Sequence, residues 1–165
     1  MNDMIIFSLV VGIGSTIVLD LWALLLFKFK GVSPTDWGQV GRWLLGLRSG
    51  EWVARQDSRA PISTIELFSG WMFHYLVGIA YAVIIVLIWG QGFIGAPTLM
   101  PIVSVGLILS TIAGLTLFMP AMGAGFCGRK LPHPGNTFGM MVLAHGVFTL
   151  GQYLFALLYA SVGIA

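Results

Sequence analysis

Four apolar stretches, Ile5 to Phe27, Thr64 to Trp89, Leu99 to Met119 and Phe138 to Ala160, each contain at most one charged side chain. A bilayer core of about 30 Å needs about 20 apolar residues in helical form, so each stretch is long enough to span one. Strands are excluded because the runs are continuously apolar, and an open sheet would leave backbone groups unpaired in lipid. Of the 165 residues, 58% are hydrophobic and 8% charged. Soluble domains carry roughly 25% charged residues, and a chain with so few could not cover a globule in water. The expected fold class is all-α: a polytopic membrane protein with a four-helix bundle forming a single membrane domain over residues 1–165.

Charge placement sets the expected orientation. Lys28, Lys30, Arg42, Arg48, Arg55 and Arg59 lie between the first and second spans, and Arg129 and Lys130 lie between the third and fourth. Those two loops share a side in a four-span chain, which the positive-inside rule makes cytoplasmic. Both termini are therefore expected on the outer face of the membrane. The start, Met1-Asn2-Asp3, has no positive n-region, and the first apolar run is too long for the core of a cleaved signal peptide, so it is expected to remain as a membrane helix. The basic residues flank hydrophobic spans and form no nucleic-acid face. Cys127 is the sole cysteine, which excludes an intrachain disulfide.

Between the first two spans, Ser33-Pro34-Thr35-Asp36 reads as a helix start with a serine cap and proline at the first helical position. Trp37, Val40, Trp43, Leu44 and Leu47 then recur at helical spacing, predicting an amphipathic helix over residues 34–48. Such a helix either lies in the headgroup region or packs under the bundle as a lid. Ser63-Thr64-Ile65-Glu66 has the form of a capping box opening the second span. Gly90 to Thr98 reads as a short uncharged turn, and Phe118 to Thr137 as a Pro/Gly-rich connector.

Titratable side chains inside lipid cost several kcal/mol and are candidates for function. Here they are Asp20, His74 and His145, with Glu66 at a helix mouth. At 1.5 Å per residue, Asp20 and His145 fall about 10 Å, and His74 about 15 Å, from the same membrane face. Gly12, Thr16 and Asp20 share a helix face, with Ser15 adjacent. Glu66, Gly70, His74 and Gly78 share another, and Met141, His145, Thr149 and Gln152 a third. Small and hydroxylated faces pack against helices rather than lipid, so the three stripes are expected to converge, with Thr16, Thr149 and Gln152 lining the cluster. Arg42, Glu66, Met122, Gly123 and Gly125 are placed at its cytoplasmic mouth. Arg42 either neutralises Asp20 or is a solvated loop charge, and Asp20 either serves a site or bonds a histidine to hold helices together.

Two other patterns carry less. Met119, Met122, Cys127, His133, Met140 and Met141 gather soft donors of the type Cu(I) favours, but their spacing matches no metal motif, and methionine commonly fills apolar cores. Gly123-Ala124-Gly125-Phe126-Cys127-Gly128 has the spacing G-x-G-x-x-G. A dinucleotide fingerprint must follow a strand; this one follows a membrane helix, and its glycines read as a sharp turn. No nucleophile elbow, P-loop or H-E-x-x-H occurs in the sequence.

The segment Gly12-Ile13-Gly14-Ser15-Thr16-Ile17-Val18-Leu19-Asp20-Leu21-Trp22-Ala23 resembles the opening of a family of uncharacterised bacterial membrane proteins of this length. Val40-Gly41-Arg42-Trp43, His74-Tyr75, Pro120-Ala121-Met122-Gly123-Ala124-Gly125 and Ala144-His145-Gly146 resemble its other signatures, in order. The resemblance implies a four-helix inner-membrane protein and supplies no activity.

No enzymatic reaction is announced by these residues. Three readings stand. In the first, the Asp/His cluster binds a small ligand or relays protons, as in a minimal transporter, and four spans then call for a homodimer. In the second, His74 and His145 are paired axial ligands of a b-type haem, with Asp20 orienting one imidazole. In the third, the chain is a non-catalytic accessory or assembly subunit of a membrane complex.

Overall fold

A computed structural model describes residues 2–55 and 60–163; Arg59, one of the basic loop residues, lies outside them. The elements are α1 (Asn2–Lys30), α2 (Trp37–Gly46), α3 (Thr64–Trp89), α4 (Gly92–Gly95), α5 (Leu99–Ala121) and α6 (Pro134–Ser161). No strand occurs among the described residues, and α1, α3, α5 and α6 are each long and apolar enough to cross a membrane. The expected all-α class holds. Each span lies over its sequence-predicted stretch; α1 runs a few residues further at both ends, and α6 chiefly at its start.

Outward faces of these helices are large and apolar. Ile13, Ile17 and Leu24 of α1, Leu76 and Leu87 of α3, Ile112 and Leu117 of α5, and Leu150 and Leu154 of α6 are all exposed. Water-soluble proteins rarely present apolar patches of more than a few hundred Å². Hydrocarbon is the solvent these faces suit.

The chain divides into two compact units. The first comprises residues 1–34, 75–110 and 142–165. Its core joins Phe7 and Val11 of α1, Ala82, Ile85 and Val86 of α3, Ile102 and Val105 of α5, and Ala156 and Tyr159 of α6. Phe93 and Ile94 add to this core, so the segment expected to be a plain turn contains the short α4, whose apolar pair is buried. Helices approach through small residues. A methyl group on Gly12 would collide with the backbone of Gly78 and Ile79, and one on Gly151 would lie 3.0 Å from Ser15 Cα. Ser15 and Thr16 turn their hydroxyls back to the carbonyls of Val11 and Gly12 (both 2.7 Å), so their polar atoms are satisfied within α1.

The second unit comprises residues 35–74 and 111–141. The helix after α1 spans Trp37–Gly46, shorter than expected, and its cap is Asp36 rather than Ser33: Asp36 Oδ1 accepts from Gln39 N at 3.1 Å. Asp36 is extended (φ −79°, ψ 92°), the conformation a cap residue takes, so Pro34 precedes the helix instead of opening it. Helix α2 lies against the first turns of α3 at a backbone-to-backbone contact, where Gly41 faces Glu66 and Gly70 faces Trp37. Val40 is fully buried there.

Within α5, two π turns (Val103–Leu109 and Gly114–Phe118) interrupt the α geometry. Ser110 and Thr116 bond the carbonyls of Gly106 and Ile112 beside them, giving carbonyls in the altered ladder a partner. Pro101 sits in the first turn, where its missing N–H costs nothing, and Pro120 in the last. After α5 the chain reverses with positive φ at Gly123 (80°), Gly125 (75°), Cys127 (53°) and Gly128 (71°). The glycine spacing is a turn, as expected, because three of these left-handed positions suit residues without a Cβ.

Candidate functional site

Asp20 lies ten residues from the end of α1 at Lys30, about 15 Å along the helix. Its Oδ2 accepts a hydrogen bond of 2.9 Å from the Tyr75 hydroxyl of α3. The sequence pattern pairs Asp20 with a histidine and does not single out Tyr75; a tyrosine in an apolar run looks like core until a neighbouring helix supplies an acceptor. A phenol donating to a carboxylate is a charge-assisted bond, and it lets α1 carry an acid within a membrane-length helix.

Of the other residues expected in the cluster, Thr16, Thr149 and Gln152 are buried in the first unit. Thr149 Oγ1 donates to the His145 carbonyl (2.6 Å) and, with Gln152 Oε1, faces Gly106 of α5. A side chain at position 106 would displace both. His145 belongs to this unit, whereas His74 belongs to the second.

His74 is held by aromatic rings. Its imidazole stacks on Trp37 of α2, with centroids 3.9 Å apart and planes 23° apart, and Trp71 approaches edge-on at 5.9 Å. Helices α2 and α3 are also joined by an ion pair. Arg42 Nε donates to Glu66 Oε1 at 2.8 Å, and its Nη2 reaches the carbonyls of Ala60 (3.0 Å) and Pro61 (2.8 Å). Arg42 is thus the anchor of α2 rather than a solvated charge, and the bond to Glu66 raises its pKa above the usual guanidinium value. Glu66 also closes the capping box read from the sequence. Ser63 N donates to Oε2 at 2.7 Å, and Glu66 N donates to Ser63 Oγ at 3.3 Å.

Replacing Glu66 by alanine removes the cap and the counter-ion together. We expect Glu66→Ala to melt several degrees below wild type and Glu66→Gln, which keeps one acceptor oxygen of the two but not the charge, to fall between them. Equal melting temperatures for all three would mean that Glu66 does not organise this junction.

Met122, Gly123 and Gly125 form the turn after α5 in the second unit. There Ala124 N donates to the Met119 carbonyl (2.9 Å), and Ala54 N of the first loop donates to the Ala121 carbonyl (2.7 Å). A small cleft lies between α2 and that loop, with Gln39, Arg42 and Trp43 on one wall and Val53, Ala54 and Arg55 on the other. Among the described residues, no group of three or more His, Cys, Asp or Glu side chains is arranged to hold a metal ion.

Membrane-length helices joined by glycine contacts, with an acid held by a tyrosine inside them, define a class: a polytopic α-helical protein suited to a bilayer. Residues 9–159 match the family described as "Protein of unknown function (DUF2938)", and the chain belongs to it. No curated protein and no solved structure matches the chain.

Proposed function

We propose that this is an inner-membrane protein, with both termini on the outer face, that relays protons through the polar interior of its first unit, with Asp20 as the group that takes up and releases them. The observation that carries the reading is the 2.9 Å bond from Tyr75 to Asp20. It fixes a titratable carboxylate about 15 Å from the end of a membrane-length helix, where ionisable groups mark ion and proton pathways more often than they serve packing alone. Thr16, Thr149, Gln152 and His145, on the elements that build the same unit, supply further polar groups. A chain with four spans offers little room for a separate substrate path, which favours a homodimer.

Proton flux into liposomes containing the purified protein, read with an internal pH dye under an imposed potential, tests this. Asparagine at position 20 keeps an oxygen to accept from Tyr75 but cannot titrate, so Asp20→Asn should abolish flux and leave the melting temperature close to wild type. Wild-type flux in that variant would reduce the Asp20–Tyr75 bond to helix glue and favour an accessory subunit of a larger complex.

A further inference from the structure

Among the described residues of the first unit, three buried polar side chains have atoms without a hydrogen-bond partner. They are Ser8 Oγ, both amide atoms of Gln152, and Tyr159 Oη, on residues 1%, 0% and 2% exposed. Leaving such a group unpaired in an apolar medium costs several kcal/mol, and in hydrocarbon no solvent repairs it. Their positions are not scattered. Helices α1 and α6 run antiparallel in a register fixed at two levels, where Ser15 abuts Gly151 and the Phe7 ring meets the Tyr159 ring edge-on at 5.4 Å. Eight residues separate these levels on either helix. Gln152 therefore lies one residue from the upper level, and Ser8 and Tyr159 lie at the lower one. The axial gap is about 9 Å, too long for a direct bond and suited to two or three bridging molecules the size of water.

We propose that the interior of the first unit where α6 meets α1 and α5 is an internal hydration site, in which water molecules bridge Gln152, whose Oε1 faces Gly106 of α5, to Ser8 and Tyr159. As a route for protons, the inference rests on the reading of Asp20 given above. Asp20 lies twelve residues from Ser8 on α1, about 18 Å, with Thr16 and Ser15 between them, so the bridged groups extend the path from the acid toward the N-terminal end of α1. Gln152 is a positioning residue: Oε1 accepts from one water and Nε2 donates to another. The proton itself passes from water to water, one O–H bond forming as the next one breaks. Internal waters of this kind make about three hydrogen bonds each to groups otherwise unsatisfied.

Two near-isosteric variants test the proposal in the full-length protein. Gln152→Met and Tyr159→Phe delete the polar atoms and keep most of the volume. If water bridges these groups, both variants lower proton flux toward the Asp20→Asn level and melt below wild type, since each strips a partner from a satisfied network. If the groups are simple orphans, their removal is neutral or stabilising. Wild-type flux in both variants, with flux lost in Asp20→Asn, overturns the hydrated path and leaves the Asp20 reading intact. If wild-type protein conducts no protons, the Asp20 reading fails and the melting temperatures decide alone: lowered values support the hydration site, and unchanged or raised values overturn it.

Discussion

Substituting Gly41 or Gly70 by valine should detach α2 from α3. A Cβ at either position would overlap a carbonyl of the opposite helix, that of Glu66 for Gly41 and that of Trp37 for Gly70. Overpacking against a side chain is relieved by a rotamer change at about 1–3 kcal/mol. Backbone atoms have no rotamer to change, so the helices must separate. With them go the burial of Val40, the stacking of Trp37 on His74, and the bond from Arg42 to Glu66. We expect more than about 3 kcal/mol of lost stability and rapid tryptic cleavage at Arg48 and Arg55 in detergent. Gly146→Ala is the control, because nothing lies within 4 Å of a Cβ there, and it should match or exceed wild type in both measurements. Slow, wild-type-like cleavage of both valine variants would mean that α2 is not docked where described.

The corresponding result in the first unit concerns Gly12. Its Cβ would strike Cα of Ile79, and a Cβ on Gly78 would strike Thr16 Oγ1 and lie 3.0 Å from the Gly12 carbonyl oxygen. In a bilayer, helices gain little from excluding lipid, whose tails are as apolar as leucine. Close backbone approach is then the main source of attraction, and Gly12→Val removes it while parting Asp20 from Tyr75. We expect a loss of more than about 3 kcal/mol and no folded material after extraction in mild detergent. Gly14→Ala should be milder, because the atoms nearest its Cβ would be those of the Phe155 ring, which can swing aside. Equal yields of folded Gly12→Val and wild-type protein would refute the α1–α3 contact.

Much of this architecture was legible in the chain. Lipid imposes a length and a composition on any helix that crosses it, so four spans could be read to within a few residues. The stripe through Gly12 and Thr16 and the one through Thr149 and Gln152 were legible too, because small and hydroxylated residues at i, i+4 spacing mark a packed face. The capping box at Ser63 and Glu66 depends on three-residue spacing alone. What escaped depends on partners distant in sequence. Nothing local shows that Tyr75 would find Asp20 fifty-five positions away, or that Arg42 would seek Glu66. The cap of α2 is Asp36 rather than Ser33 because Ser33-Pro34 is a good start only locally, while docking of Val40 and Gly41 sets where the helix begins. In α5, period counting fails for another reason: each π turn rotates the residues after it relative to an ideal α-helix.

The first loop is tied at both ends of a short run. Trp43 Nε1 donates to the Trp52 carbonyl at 3.1 Å, and Ala54 N donates to the Ala121 carbonyl at 2.7 Å. Between these two bonds lie only Val53 and a few backbone torsions, so the link is nearly taut. A tug on α2 would reach the proline-bearing end of α5 with little slack, making the amphipathic helix a lever whose fulcrum is the Gly41–Gly70 crossing.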